Sequence, residues 1–389
     1  MLKAAIIGAG AIAPAHVQGF LQFRDSVRIV AVANRSIGRA QDLIQRYQLD
    51  ARAFSYYRDA IAEADLVVIC TPPGSHREVA EVAFAQGAHV LIEKPMAPTL
   101  SDCDAILAAA TRSGKLLSVV AQIRFVDSIN RAVKVMKSGD FGRILFSQIN
   151  SLWWRGASYY DLAWRGRWDS DGGGCTISHA VHHIDLLLWI KGLPSEVTAI
   201  MGNLAHDNSE EEDLSMAMLR FPDGSLGQIT SSLMHHGEPQ FLNFQLDQLG
   251  MSIPFKVSAS RQRGNGFPLA DEETEKRFLA DYEGLPALTH EHHAGHIGDF
   301  IHAIETNGKP LVNGESGRAA VELITAIYES ASSGNTVRLP LQDDDPFRTK
   351  EGLLAQLPRF NEKRRDIAAF DDMEITSFKE KFQVQPGSV

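Results

Sequence analysis

The sequence predicts a two-domain protein: an N-terminal α/β Rossmann domain with a parallel sheet, then an α+β domain with a large, mainly antiparallel open sheet. Three observations indicate this fold class. A short apolar strand ends in a glycine turn at Gly8 and Gly10. Strand and helix patterns then alternate to about residue 121. Strand-like runs dominate from about residue 144. The expected domains are residues 1–121 and 122–340, with residues 341–389 forming a C-terminal arm.

Composition excludes several classes of protein. The 389 residues include 38 basic and 48 acidic side chains, a net charge of -10, whereas nucleic-acid binders carry a basic excess. No apolar run reaches the roughly 18 residues that span a bilayer, so we expect no membrane partner. Cys70, Cys103 and Cys175 are odd in number and far apart, which argues against a disulfide framework and favours a cytoplasmic location.

The first turn predicts a dinucleotide site. The apolar run at 2–7 is typical of a buried parallel strand, and the G-x-G-x-x-A pattern that follows contains Gly8, Gly10, Ile12 and Ala13. Gly8 permits the tight turn, Gly10 lets the backbone approach a pyrophosphate, and Ala13 lets the helix pack closely on the strand. The helix N-terminus offers free N–H groups to the phosphates.

The second strand bears on the choice of cofactor. The apolar run at 27–33 ends at Asn34, where an acidic residue would hold the ribose hydroxyls of NAD. Arg35, Ser36 and Arg39 follow, and a guanidinium with a hydroxyl suits a 2′-phosphate. This pattern favours NADP. NAD remains open, because Arg35 could stack on the adenine while Arg39 is solvated.

The next two strand ends carry further candidate cofactor contacts. The strand predicted at 64–70 is followed by Thr71 and Pro72, and a helix from His76 to about residue 86 comes next. The strand at 89–93 ends at Glu93 and Lys94. Ligands bind at the carboxyl ends of strands in open α/β sheets, so we expect these five residues at the cofactor.

The glycine turn, the Thr-Pro-Pro motif at 71–73 and the Glu-Lys-Pro motif at 93–95 together resemble the Gfo/Idh/MocA oxidoreductases over residues 1–340. That family uses NAD(P) to oxidise or reduce sugars and cyclitols. The resemblance implies that Lys94 lies between substrate hydroxyl and nicotinamide, where a buried cation stabilises a developing alkoxide. A solvated surface lysine is the alternative. The resemblance also implies that Gln122 and Arg124 lie near cofactor and substrate, and that copies associate as homodimers or homotetramers through the second sheet.

The second domain is expected to begin with a helix at 128–138. A hairpin turn is predicted at residues 222–225. The strand-like runs lie at 144–154, 196–203, 213–221, 225–233 and 241–250.

A glycine-rich segment at 172–174 precedes a run of histidines. On a helix, Ser178, His182 and Asp185 share one face. The resemblance assigns the catalytic histidine to His182 and a helping aspartate to Asp185. Ser178 stands where the family commonly carries aspartate or asparagine, so His182 works without that charge, or His179 or His183 contributes. Structural packing is the alternative for His182.

Aromatic side chains crowd the segment before those glycines. Trp153, Trp164 and Arg165 could form a platform for a carbohydrate, because aromatic faces stack on sugar C–H surfaces. Trp154 and Trp168 lie in the same segment. The alternative is that these residues belong to the core or to a subunit interface.

A second histidine cluster lies at 290–296. The H-E-x-x-H zinc pattern fails there, because Ala294 stands four residues after His290. His292 and His296 could share a helix face. Three interpretations stay open: His292 lines the substrate pocket, the cluster caps a helix or forms an interface, or it binds a metal. We predict no metal site.

The sequence therefore predicts an NAD(P)-dependent dehydrogenase acting on a secondary hydroxyl of a sugar, glycoside or cyclitol, with Lys94, His182 and Asp185 as catalytic residues. Two alternatives come from other classes. One is a glycosidase or lyase that recycles a tightly bound cofactor within each turnover, as some family relatives do. The other is a sensor of nucleotide or sugar without turnover, which would need neither Lys94 nor His182.

Overall fold

A computed structural model describes residues 1–368 and 370 of the chain. The N-terminal half forms a parallel sheet of six strands in the order β3-β2-β1-β4-β5-β6. All four residues of its central strand β4 are buried, as expected of a sheet covered on both faces. The strands are β1 (Leu2–Ile7), β2 (Val27–Ala33), β3 (Arg52–Phe54), β4 (Leu66–Ile69), β5 (His89–Ile92) and β6 (Leu117–Val119).

Helices connect these strands and cover the sheet, which confirms the predicted Rossmann architecture. The β4–α4 connection contains the two prolines of the Thr-Pro-Pro motif. The helices are α1 (Ala13–Phe20), α2 (Ile37–Tyr47), α3 (Tyr57–Ile61), α4 (His76–Ala85) and α5 (Leu100–Ser113).

The second half forms a sheet of nine strands in the order β14-β13-β12-β11-β7-β10-β9-β8-β15. Its pairings are antiparallel except that β7 and β10 run parallel, so the predicted mainly antiparallel sheet is confirmed. The strands are β7 (Ile144–Leu152), β8 (Glu196–Gly202), β9 (Leu214–Arg220), β10 (Leu226–Ser232), β11 (Phe241–Leu246), β12 (Leu249–Ile253), β13 (Lys256–Gln262), β14 (Pro268–Ala270) and β15 (Val337–Arg338).

Helices cover one face of this sheet. The inward side chains of β9, including Ala217 and Leu219, are buried beneath them, while Met216 and Met218 alternate outward and are exposed. No described helix is long and apolar enough to cross a membrane. The helices are α6 (Asp127–Ser138), α7 (Val181–Lys191), α8 (Glu272–Gly284), α9 (His292–Thr306), α10 (Gly314–Ser333) and α11 (Lys350–Gln356).

The two halves share hydrophobic core. Ile297, Phe300 and Ile301 of α9 are buried in the same cluster as Ile6 and Val32 of the parallel sheet. Helix α10 packs against α5 as well as against β8. The C-terminal part of the chain therefore completes the N-terminal domain, and the boundary at residue 121 stays a prediction.

One predicted element is wrong, and one lies partly outside the described residues. The single strand expected at 241–250 is two strands, β11 and β12, because the chain reverses between Leu246 and Leu249 into an antiparallel hairpin. In the predicted arm at 341–389, Phe347, Leu353 and Leu357 are buried in the second core, the hydrophobic cluster between the nine-stranded sheet and its helices. Residues 369 and 371–389 of that arm lie outside the described part.

Candidate active site

A cavity of about 2020 Å³ separates the carboxyl edge of the parallel sheet from the segment at 153–182. Typical sites for small ligands occupy about 300–1,000 Å³, so this cavity has room for a dinucleotide and a second molecule. The predicted residues that line it are Gly8, Gly10, Ile12, Asn34, Arg35, Arg39, Thr71, Pro72, Glu93, Lys94, Gln122, Trp153, Trp164, Arg165, Ser178, His179, His182 and His292.

The glycine turn fits a dinucleotide. Gly8 has φ +102°, and a Cβ there would lie 2.8 Å from the carbonyl of Cys70. A Cβ on Gly10 would have no protein atom within 4 Å, so the space beside this backbone is open. Helix α1 follows with no side-chain cap on its N-terminal N–H groups. Ala13 is fully buried and packs the helix on the sheet rather than lining the cavity.

Asn34, at the end of the cavity where β2 finishes, links the glycine turn to the segment that follows β2. Its Oδ1 accepts a hydrogen bond from Ala9 N at 3.1 Å, and its Nδ2 donates to Ser36 O at 3.0 Å. Arg35 and Arg39 line the cavity beside it, while Ser36 is outside the lining.

Sequence reasoning missed Tyr57 and Glu78 at the same end of the cavity. The Tyr57 hydroxyl donates to the Glu78 carboxylate, and burial together with this bond raises the pKa of Tyr57 to about 12. Glu78 also lies 3.6 Å from the guanidinium of Arg58. The carboxylate at this end is therefore already partnered by protein groups.

His76 does not line the cavity. It is fully buried, with Nε2 2.7 Å from Thr71 O and Nδ1 3.1 Å from Pro95 O. Burial lowers its pKa. His76 therefore ties the Thr-Pro-Pro loop to the Glu-Lys-Pro loop and positions both, whereas the sequence suggested a direct cofactor contact.

Lys94 lies where the two halves of the cavity meet. Its Nζ donates to Ser178 O at 2.9 Å, so a residue at the end of β5 reaches the segment that precedes α7. Burial lowers its pKa, with Glu93 opposing that shift. The protonated form of a lysine held in this way lies in a water-poor site, the property needed to stabilise a nearby alkoxide.

Glu93 forms a buried ion pair beneath Lys94. Its Oε1 lies 2.7 Å from Nε2 of His16 on α1, and its Oε2 accepts from Lys94 N at 3.1 Å. Burial opposes both charges. Cys70 and Glu93 nevertheless raise the pKa of His16 to about 10, and His16 lowers the pKa of Glu93 to about 2. Both groups therefore stay charged at neutral pH.

His293 joins this pair, with its Nε2 3.9 Å from Glu93 Oε1. The three side chains bring atoms that can ligate a metal within 4.8 Å of one another. A metal there would have to displace the hydrogen bond between His16 and Glu93. The rest of the cluster at 290–296 divides: His292 lines the cavity, His290 lies 2.8 Å from Gln22 Oε1, and His296 is buried.

His296 is a structural residue. Its Nε2 lies 2.8 Å from Ser118 Oγ, and its Nδ1 accepts from Ala121 N at 3.2 Å. Burial lowers its pKa to about 3. It therefore joins α9 to the end of β6 as a neutral imidazole.

The glycines at 172–174 pack tightly beneath the histidine segment. A Cβ on Gly174 would lie 1.8 Å from Glu212 O, so no other residue fits there. A wide π-helical turn, Thr176–Ala180, follows and leads into α7. Ser178 Oγ donates to Gly174 O at 2.5 Å and lies 2.8 Å from His179 Nδ1. The Ser178 hydroxyl therefore contacts His179, one of the two neighbours that the sequence offered as a helper of His182.

His179 and His182 both line the cavity. Burial lowers the pKa of each well below its ordinary value, and the charge of Lys94 adds to both shifts. Both imidazoles are neutral at neutral pH and able to accept a proton. His183 is fully buried instead, with Nδ1 2.8 Å from Ser151 Oγ and a pKa lowered by burial to about 3.

Asp185 and Arg124 are committed to each other. Two hydrogen bonds of 2.7 Å join the guanidinium to the carboxylate, and both side chains are buried. Asp185 borders a small internal cavity behind Lys94 and His182, and neither Asp185 nor Arg124 lines the large one. A bidentate partner therefore occupies both groups, and the roles that the resemblance assigns to them near the substrate stay predictions.

Some residues of the aromatic segment line the cavity, as expected of a carbohydrate platform, and others belong to the core. Trp153, Trp154 and Trp164 line the cavity. Trp168 belongs to the second core, where its Nε1 donates to Glu210 O at 3.1 Å. Arg165 lies between two rings, 3.9 Å from the centre of Tyr159 and 4.5 Å from that of Trp164.

Sequence reasoning also missed a pair of buried acids beside this wall. Asp171 lines the cavity, and burial raises its pKa to about 6 although Arg165 opposes the shift. Glu211 is fully buried, and burial with the charge of Asp171 raises its pKa well above the ordinary value. Gly173 N donates to Glu211 Oε1 at 3.1 Å. The four consecutive acidic residues at 210–213 were the sequence signal that could have indicated this acidic pair.

Comparison with known proteins agrees with this geometry. A family model described as an oxidoreductase family with an NAD-binding Rossmann fold, GFO_IDH_MocA, matches residues 2–121. The GFO/IDH/MocA C-terminal domain matches residues 129–247.

Two curated relatives and one solved structure illustrate the similarity. A 1-carboxy-3-chloro-3,4-dihydroxycyclo hexa-1,5-diene dehydrogenase of Comamonas testosteroni is 30% identical over 251 residues, 60% of this chain and 61% of that protein. A 2,7-anhydro-N-acetylneuraminate hydratase of Escherichia coli is 24% identical over 378 residues, 87% of this chain and 97% of that protein. The WlbA dehydrogenase of Bordetella pertussis, solved with NADH and UDP-GlcNAcA, is 26% identical with a TM-score of 0.75, over 88% of this chain and 99% of that one.

Proposed function

Since this chain belongs to the Gfo/Idh/MocA oxidoreductases, we propose that it moves a hydride between a nicotinamide cofactor and a secondary hydroxyl or ketone of a sugar, glycoside or cyclitol. The family assignment supports an oxidoreductase acting on CH–OH groups. One observation carries the proposal for this chain. Lys94 is fixed by Ser178 O at the boundary between the glycine-turn half of the cavity and the half that holds His182.

In the proposed reaction, the residues of the chain manage the proton. A nicotinamide cofactor, held at the Gly8 and Gly10 turn, would supply the acceptor for the hydride of the carbinol carbon. His182 takes the hydroxyl proton, because its buried imidazole is neutral. Lys94 stabilises the developing alkoxide, and Glu93 with His16 holds the Lys94 backbone in place. Trp153 and Trp164 exclude water and stack on the substrate ring.

The proposal is tested by a turnover assay. Purified protein is mixed with oxidised cofactor and a panel of sugars, glycosides and cyclitols, and reduced nicotinamide is followed by absorbance. We expect turnover of at least one panel member by the wild type and its loss in His182→Asn, with His302→Asn as an exposed control on α9. Turnover that survives in His182→Asn contradicts the assigned role.

The relative named a hydratase favours a second candidate. In that case the substrate is oxidised and reduced again within one turnover, and the product is a hydrated, cleaved or eliminated sugar. The same panel distinguishes the two. Product formed without net reduced nicotinamide, from protein that already holds cofactor, identifies internal recycling.

For the cofactor itself, we propose NADP over NAD. Arg35 and Arg39 line the far end of the cavity, and the Glu78 carboxylate there already has Tyr57 and Arg58 as partners. Fluorescence titration with NADH and NADPH separately at matched salt tests this. Binding of NADPH at least tenfold tighter is expected, and equal or tighter NADH binding would contradict the proposal.

We also propose a homodimer or homotetramer that forms through the second sheet. Ile200, Met216, Met218 and Leu226 are exposed on its uncovered face, which supports an apolar contact between copies. Sedimentation equilibrium of the wild type against Met218→Glu measures it. A cytoplasmic location is proposed as well, supported by three cysteines that are buried as free thiols.

A further inference from the structure

Arg165 differs from the other cations at the substrate end of the cavity. The guanidinium of Arg155 is paired with Glu238 at 2.7 Å, and Lys94 donates to Ser178 O at 2.9 Å. Arg165 lines the same cavity, yet among residues 1–368 and 370 its side chain has no ion pair or hydrogen bond, and its Nε is buried. A partly buried guanidinium whose N–H groups lack an acceptor is costly, so this position suits an anion supplied from outside the chain.

The neighbouring carboxylate does not fill that role. Asp171 is close enough to influence the pKa of Arg165, but burial dominates and lowers that pKa to about 10. Asp171 accepts a backbone hydrogen bond from Gly166, and its own pKa is raised to about 6 by burial. Asp171 is ionised at neutral pH and favours the charged form of Arg165, but among the described residues no hydrogen bond joins the two side chains, so the N–H edge of the guanidinium stays available. Asp169 also lines the cavity but is exposed to solvent and forms no ion pair among the described residues.

The rings on either side orient the guanidinium. Its carbon lies 3.9 Å from the centre of Tyr159 and 4.5 Å from that of Trp164, so the planar group is held by cation–π contacts. Such contacts fix the plane and leave the N–H groups at its edge available. An arginine presented in this way suits the two oxygens of a carboxylate or phosphate.

We propose that the substrate is a sugar or cyclitol bearing an anionic group, a carboxylate or a phosphate, which Arg165 binds while the reacting hydroxyl lies at Lys94. This inference rests on the proposed function and narrows its substrate class. It makes Arg165 a specificity-determining residue. A neutral sugar would leave the N–H edge of its guanidinium without an anion.

The experiment compares matched substrates. D-Glucose, D-glucuronate and D-glucose 6-phosphate form one set, and the corresponding galactose compounds form another, so the carboxylate and phosphate arms are separate. The ratio of kcat/KM for the anionic over the neutral member is measured in wild type, Arg165→Met, Arg165→Lys and Arg167→Met. Arg167 is a matched control, because its guanidinium pairs with Asp366 at 2.9 Å outside the cavity lining.

We expect the wild type to prefer an anionic member by about 10- to 100-fold, the range of a charged hydrogen bond. Arg165→Met should reduce that ratio to below threefold, Arg165→Lys should restore part of it, and Arg167→Met should leave it unchanged. Equal use of neutral and anionic members, or a preference that survives in Arg165→Met, would overturn the inference while leaving the proposed function standing.

Loss of all turnover is distinguishable. If no member of either set is oxidised, the dehydrogenase proposal fails for these compounds, and binding to the NADH complex is then read from tryptophan fluorescence. Anion binding that weakens at least tenfold in Arg165→Met still supports Arg165 as the anion site. Anions that bind no tighter than the neutral sugars in the wild type overturn it.

Discussion

Two groups of buried charge lie on opposite sides of the cavity and are built in opposite ways. On the Rossmann side, His16 and Glu93 carry opposite charges 2.7 Å apart. On the other side, Asp171 and Glu211 would carry the same charge. Burial raises the pKa of both, and the charge of Asp171 adds to the shift of Glu211. Both groups are buried to a similar degree.

The difference teaches what pairing does to a buried charge. Opposite charges in contact stay ionised over a wide pH range, with pKa values of about 10 for His16 and about 2 for Glu93. Acids buried without such a contact keep a proton to higher pH: burial raises the pKa of Asp171 to about 6, and burial with the charge of Asp171 raises the pKa of Glu211 well above its ordinary value. The first group gives the cofactor side a permanent scaffold, and the second gives the substrate side an acid that titrates near neutrality.

Lys94 lies between the His16–Glu93 pair and the Asp171–Glu211 pair, and both Glu93 and Asp171 favour its charged form. Replacing Lys94 should therefore have the largest effect on activity. In Lys94→Ala we expect kcat to fall by about 10²- to 10⁴-fold, since the alkoxide loses its cation. Binding of NADH, measured by fluorescence, should change by less than about threefold. Lys350→Ala, at the exposed rim of the cavity, is the control, and wild-type turnover in Lys94→Ala would contradict the assignment.

The second prediction breaks the opposite-charge pair. Glu93→Gln leaves the imidazolium of His16 buried without its counter-charge, and breaking such a pair typically costs about 3–5 kcal/mol of unfolding free energy. Urea denaturation at neutral pH measures it. Glu63→Gln is the control, because Glu63 forms an ion pair with the exposed Arg52 and should cost at most about 1 kcal/mol. Similar losses in the two variants would show that burial does not matter here.

The third prediction relieves the like-charge pair and has the smallest effect. Because the folded pKa of Asp171 is raised from 3.8 to about 6, its stabilising contribution is present below pH 4 and is lost as pH rises through 6. Asp171→Asn removes this titration together with the charge that raises the pKa of Glu211, so this loss should shrink. Unfolding free energies measured from pH 4 to pH 8 test it.

The variant is expected to match wild type within about 1 kcal/mol at the acid end and to be the more stable protein at the alkaline end. Asp169→Asn, two residues away and exposed, should follow the wild-type curve. Parallel curves for Asp171→Asn and wild type would mean that Asp171 titrates in the folded protein as it does in the unfolded chain.

Local rules sufficed for much of the fold. The glycine turn, the alternating strands and the position of Lys94 follow from periodicity and from the requirement for glycine at Gly8, whose φ is positive. The hairpin between β11 and β12 was not predicted, because two short strands joined by a brief turn have the same sequence pattern as one long strand. Neither Asp247 nor Gln248 is a glycine or proline that would mark the reversal.

The site was harder to predict, because partners distant in sequence decide what each side chain does. Asp185 has the right spacing from His182, yet Arg124, 61 residues earlier, takes both of its oxygens. His76 follows a loop that lines the cavity, yet one carbonyl of that loop and one of the Glu-Lys-Pro loop hold its ring. Spacing gives the face of a helix, whereas competition between partners is visible only once the chain has folded.

The return of α9 to the parallel sheet has a consequence for the order in which the protein can be built. Ile297, Phe300 and Ile301 complete the apolar cluster on one face of that sheet, but they are synthesised roughly 180 residues after its last strand. At about 5–20 residues per second, that face waits about 9–36 seconds on the ribosome before its cover exists. The N-terminal domain is therefore first in sequence but finishes its core only when most of the chain has been translated.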